Sequence, residues 1–240
     1  MRQTVYSTGS SLLHRIDQLL YSGRVRRAAE PKPPLFVVGH WRTGTTLLHE
    51  LLVQDERFTS PSTYQVMAPH HFLLSDGWMP KFLGHALPAR RPMDNMAVGF
   101  DKPQEDEFAL CNLGLPSPYL KWAFPRHYPE PGMSLDIEAL PERERRRWIA
   151  GLRGFVRRLS YHDPRRTVLK SPTHTARLDT LSRVFPGAQF IHIVRESVRS
   201  VRLDDAHVAA TVGFLCVPEP AIRRSGRIRA GDVRAHVRLL

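Results

Sequence analysis

The chain has 240 residues, 42% hydrophobic and 24% charged, with 35 Lys+Arg against 23 Asp+Glu for a net charge of +12. That composition supports a buried core and excludes wholesale disorder, and no run approaches the roughly 18 uninterrupted apolar residues of a membrane-spanning helix. Two cysteines, Cys111 and Cys216, exclude a disulfide scaffold and a four-cysteine zinc site, while the positive excess favours acidic partners (nucleic acid, a membrane surface, a phosphorylated ligand) without choosing among them.

The first twenty residues have neither a long apolar core nor a small-residue cleavage site, which disfavours a secretory signal and points to the cytoplasm. Leu12, Leu13, Ile16, Leu19 and Leu20 fall at helical spacing and predict a helix over 10–21. GRVRRAAEPKPP follows as a basic, proline-marked connection, so 1–33 form an N-terminal helix and linker. Leu35-Phe36-Val37-Val38 is short, apolar and β-branched, and a Gly/Thr-rich turn then leads into LLHELLVQ: strand, glycine turn, helix. Residues 58–128 are irregular, with scattered Pro, Gly and His. Pro141 opens a helix in which Trp148, Ile149, Leu152, Phe155, Val156 and Leu159 share one face; its arginine run is expected to face water. Runs at 167–169 and 190–194 predict strands with a helix, TARLDTLSRVF, between them. Strands alternating with helices imply parallel pairing and an α/β fold.

Residues 39–46, Gly-His-Trp-Arg-Thr-Gly-Thr-Thr, match the spacing of the glycines and final hydroxyl residue in a nucleotide-triphosphate loop, but Thr45 stands where that loop has lysine. A strand–loop–helix of this kind aims backbone N–H groups and the positive end of a helix at an anion. With Arg42 inside the loop and no lysine, it suits a phosphate-like group better than a standard nucleoside triphosphate.

FVVGHWRTGTTLLHELL resembles the 5′-phosphosulfate loop of bacterial-type sulfotransferases. The likeness continues in order through TYQ at 63–65, RPMDNM at 91–96, PQEDEFAL at 103–110, LKSP at 169–172 and FPGAQFIHIVR at 185–195. It covers roughly residues 34–200, which delimits a catalytic domain there. The resemblance implies an α/β, P-loop-like three-layer domain, with a central parallel sheet flanked by helices. It also implies 3′-phosphoadenosine 5′-phosphosulfate (PAPS) as donor. Arg42, Thr43, Gly44, Thr45 and Thr46 would embrace the 5′-phosphosulfate, and Arg195 would bind the 3′-phosphate. Sulfuryl transfer needs an in-line acceptor and cationic or N–H donors on the leaving bisphosphate rather than covalent help, and no cluster with metal-ligand spacing is present.

On the acceptor side, a base that takes the proton of an alcohol or amine is expected. Glu105 is preferred, then Glu107; the acids of PQEDEFAL could equally complement the start of a helix. His70, His71 and His174 are rivals. Lys170 ends a predicted strand where ligands of open α/β sheets bind, and could meet the sulfuryl group or the acceptor. The acceptor itself, whether small molecule, carbohydrate or lipid, is open.

The family pairs its 3′-phosphate arginine with a serine eight residues later; here that position is Leu203, and Ser197 and Ser200 are out of register, with Ser200 kept among the donor-binding candidates. From 201 to 240 the chain leaves the family pattern altogether. One back-translation of VRLDDAHVAATVGFL, read one base later, gives F-A-S-T-M-H-M-W-R-R-L-W-V-S. Its serine falls in the family's register, which suggests a single-base insertion near codon 201 and impaired donor binding. Two other readings stand beside this one: a P-loop kinase or NTPase, opposed by Thr45 and by the lack of a Walker-B acid, and a basic nucleic-acid-binding protein, for which no stacking or helix-turn-helix signature is found.

Overall fold

The computed structural model describes residues 2–84, 98–120 and 135–194, with side chains from residue 8 onward. Four strands form one parallel sheet in the order β2-β3-β1-β4: β1 Leu35–Val38, β2 Phe58–Thr59, β3 Arg166–Lys170 and β4 Gln189–His192. The register places Phe36 between Leu169 and Phe190. All four β1 residues are buried, as expected for a central parallel strand covered on both faces.

Alternation along β1 divides the core in two. Phe36 and Val38, with Leu169, pack against Trp148, Leu152, Phe155 and Val156 of the long helix Glu142–His162. Leu35 and Val37, with Val168, pack against Leu48 and Leu52 of the helix Thr45–Leu52. Helix, parallel sheet and helix make the three layers that the sequence motifs imply.

The helices in chain order are α1 Arg2–Arg27, α2 Thr45–Leu52, α3 Thr63–Met67, α4 Phe72–Ser75, α5 Met79–Leu83, α6 Asp106–Asn112, α7 Glu142–His162 and α8 Leu178–Val184, with a 3₁₀ segment Pro172–Arg177 before α8. Two expectations change. The N-terminal helix does not stop at residue 21 but runs to Arg27, because Val25 is buried and the carbonyls of Val25, Arg26 and Ala28 accept hydrogen bonds from Arg157. For the same reason the arginines of α7 do not all face water. Arg157 also pairs with Glu30, and Arg158 reaches the fully buried Asp17 at 2.7 Å, so two of them clamp α1 to the domain. The irregular stretch after residue 58 holds the short helices α3 to α6; α3 opens with a capping box in which Ser62 and Gln65 satisfy each other's amides. Cys111 is half-buried, and burial pushes its thiol up to about 11, which leaves it unreactive.

His49, on the sheet-facing side of α2, predicts how stability depends on pH. Burial, reinforced by the charge of Lys170, lowers its pKa to about 3. The folded state therefore holds a neutral imidazole that the unfolded chain protonates. Stability falls as pH drops from 6.5 towards 3, by roughly 5 kcal/mol at full extent. Burial lowers His70 and His71 too, so they add in the same direction. Urea unfolding followed between pH 7 and pH 4 is expected to show this slope, and His49→Gln is expected to flatten much of it; an unchanged slope would refute the assignment.

Candidate active site

The loop after β1 is shaped by three residues with positive φ. Gly39 (φ +150°) ends the strand, and a Cβ there would lie 2.6 Å from the Ile193 carbonyl oxygen, so no side chain fits. Its N–H donates to Thr175 Oγ1 at 2.8 Å, tying the loop to the segment after β3. Arg42 (φ +63°) is the one non-glycine residue in the left-handed region among the described residues, and Gly44 (φ +104°) caps α2. Thr43 Oγ1 donates to the His40 carbonyl at 2.7 Å, closing the turn from within. The chain thereby reverses and delivers the amino end of the eight-residue α2 to the C-terminal edge of the sheet. An anion is favoured there by the unpaired first-turn amides and the helix dipole.

Glu105, Asp106 and Glu107 are not simple complements to a helix end, since Glu105 makes no side-chain cap and each acid has its own partner across the site. Glu105 Oε1 accepts from Lys170 Nζ at 2.6 Å. Asp106, fully buried, accepts from Ser171 Oγ at 2.8 Å and meets His174 Nε2 at 2.6 Å. Burial works against the Asp106 charge, yet the His174 charge and the two hydrogen bonds prevail and hold its pKa below the usual carboxylate range. Glu107, also fully buried, accepts from Thr173 Oγ1 at 2.7 Å and from Arg177 Nη1 at 2.6 Å. Three consecutive acids thus interlock with Lys170, Ser171, Thr173, His174 and Arg177. PQEDEFAL and LKSPTHTAR are two halves of one buried joint.

Only the first tooth of that joint opens to the loop. Lys170 Nζ also donates to Thr46 Oγ1 at 3.3 Å, so a single ammonium group spans the anion loop and Glu105. The second oxygen of Glu105 accepts from the Tyr119 hydroxyl. Burial and the neighbouring carboxylate push the Tyr119 phenol well above its ordinary value, so it remains a donor. Tyr119 in turn packs on Phe108 with ring centres 5.1 Å apart, and Phe108 is partly exposed beside Glu105. The site therefore juxtaposes an anion-binding turn, one lysine, one carboxylate and an aromatic wall.

Residues 33–213 match the pattern of the Sulfotransferase family, three quarters of the chain. The chain belongs to the sulfotransferase family. Two curated relatives, from Mycobacterium bovis and Mycobacterium tuberculosis, are each 45% identical over 193 residues and are both named omega-hydroxy-beta-dihydromenaquinone-9 sulfotransferase Stf3. The match takes in 80% of this chain but 50% of theirs, so the chain spans about half the length of the curated relatives it matches. The crystal structure of sulfotransferase STF9 from Mycobacterium avium superposes with a TM-score of 0.53 at 23% identity, covering 84% of this chain and 52% of that one. Sulfotransferase STF1 from M. tuberculosis H37Rv gives 0.50 at 23% identity, covering 77% and 50%. These two establish the fold.

Within the sulfotransferase fold, Arg42, Thr43, Gly44, Thr45 and Thr46 form the turn and the start of α2, and Glu105 and Lys170 meet beside it. Glu107 lies in the same joint, but its carboxylate is fully buried and held by Arg177 and Thr173. His174 is likewise buried on Asp106, whereas His70 and His71 bond to Asn112, Ser75 and Ser10 around α1 and α4. Arg195, Ser200 and the RPMDNM stretch lie outside the described residues. Cavities of ≈ 410 and ≈ 440 Å³ occur elsewhere, against α7 and the proline-rich linker. Sequence reasoning missed Tyr119, Thr175 and Arg177.

Proposed function

We propose that this chain carries the donor-binding and transfer centre of a PAPS-dependent sulfotransferase. The observation that carries the reading is Lys170, whose ammonium group touches both Thr46 of the loop and Glu105. Arg42 and the amides of 43–46 would hold the 5′-phosphosulfate, and Arg195 and Ser200 the 3′-phosphate. Lys170 would turn to the sulfuryl oxygens. The acceptor oxygen then attacks sulfur, its proton passes to Glu105, and the bond from sulfur to the phosphate oxygen breaks, with the negative charge on the departing bisphosphate met by loop amides and Arg42. Glu107 acts as an anchor in this scheme rather than as the base, because its oxygens face Arg177 inside the core. No step calls for a metal.

The names of the 45%-identical relatives favour an alcohol on an apolar, isoprenoid-quinone-like lipid as acceptor. The aromatic surface of Phe108 and Tyr119 beside Glu105 is suited to such a chain. Leu203, standing where the family has its phosphate-binding serine, weakens the donor site, and the alternative frame after Ser200 restores it. Calorimetry with adenosine 3′,5′-bisphosphate tests both ideas. Binding by this chain, tightened in a chain rebuilt with the alternative frame, is the expected result. No heat from either chain would overturn the donor assignment; equal affinity and equal turnover would overturn the impairment.

A further inference from the structure

We propose that the outer face of α1 is a docking surface for an anionic phospholipid bilayer. The inner face of this helix is fully committed. Asp17 is completely buried between the Leu74 amide and Arg158, Tyr21 packs edge-on to Tyr161 with ring centres 6.3 Å apart, and Val25 is buried under Arg157. Among the described residues, four further apolar side chains of the helix are left exposed. Leu12, Ile16, Leu19 and Leu20 are 59%, 37%, 85% and 48% exposed, and at 100° per residue they fall, with Gly23, inside an arc of about 100°. Arg15 and Arg26 border one side of that arc and Arg24 the other, while Arg27 lies within it one turn beyond Gly23; all four are exposed.

Charge selects the occupant. Asp17 is the sole acid between Arg2 and Arg27, and it points inward, so the outer face presents arginines and leucines with no carboxylate among them. A second copy of the helix would set arginine against arginine without compensation. A nucleic acid would satisfy the arginines but leave Leu19 in water. An anionic bilayer satisfies both: the leucines enter the acyl boundary while the guanidinium groups stay among the phosphates. The surface stands apart from the catalytic joint, and it would hold whichever acceptor the enzyme uses.

The test is flotation of the full chain with vesicles of phosphatidylcholine, with and without phosphatidylglycerol. Binding to the anionic vesicles is expected, falling with added salt, and about fivefold weaker for each arginine changed to glutamine among Arg15, Arg24, Arg26 and Arg27. Leu12→Gln, Ile16→Gln, Leu19→Gln and Leu20→Gln together are expected to cut binding by at least about tenfold. Circular dichroism and thermal unfolding should remain those of the parent, since all four side chains are outside the core. Absence of binding to anionic vesicles would overturn the proposal. So would undiminished binding by the four-fold glutamine variant, a dimer in light scattering held by these same leucines, or duplex-DNA binding in place of vesicle binding.

Discussion

Arg177→Met will destabilise the domain by about 3–5 kcal/mol, the cost of leaving one member of a buried ion pair uncompensated. Arg177 and Glu107 are both fully buried, 2.6 Å apart, and Arg177 is further fixed by the Leu135 carbonyl at 3.2 Å and by the face of Trp148 at 4.9 Å. Methionine keeps much of the volume over Trp148 but strands the Glu107 carboxylate. The double variant Glu107→Gln, Arg177→Met removes both charges and is expected to recover more than half of the loss. Urea unfolding of the two single variants and the double variant measures this. A double variant no more stable than Arg177→Met would show that the loss comes from packing rather than from the stranded charge. The consequence reaches the site, because Glu107 and Arg177 form the innermost tooth of the joint that also aligns Glu105 with Lys170.

That joint explains what was legible in the sequence and what was not. The strand–turn–helix at 35–52 could be read directly, since Gly39 and Gly44 sit where only positive φ works and the flanking residues are unambiguous in period. The core face of α7 was equally clear: five of its six expected residues are buried, and Ile149 is partly so. The pairing of 105–107 with 170–177 was not legible, because it joins segments more than sixty residues apart through hydrogen bonds that leave no periodic trace. Helix-end complementarity was a sound local account of three acids before an apolar run, and tertiary pairing overrode it. The outward arginines of α7 show the same limit. Periodicity separates a polar face from an apolar one, but it cannot say that Arg157 and Arg158 meet another helix instead of water.

Glu105→Gln distinguishes the reactive tooth from the anchoring ones. Turnover in the frame-restored chain is expected to fall by roughly 10²–10⁴, the usual contribution of a positioned general base. Affinity for adenosine 3′,5′-bisphosphate is expected to hold or rise slightly, because Lys170 loses its 2.6 Å ionic partner and turns more readily to the loop. Glutamine keeps one acceptor oxygen for Lys170, and its amide N–H can donate to the Tyr119 hydroxyl in place of the bond that Glu105 accepts, so the aromatic wall keeps its shape and the defect is confined to proton removal. Glu107→Gln serves as the opposite case: it weakens the buried pair with Arg177, so stability drops, while the molecules that remain folded keep their base. Kinetics and urea unfolding on the two variants separate the roles. Near-normal turnover in Glu105→Gln would remove Glu105 from the reaction. Turnover lost per folded molecule in Glu107→Gln, with stability intact, would move the base two residues along the chain and require Arg177 to release it.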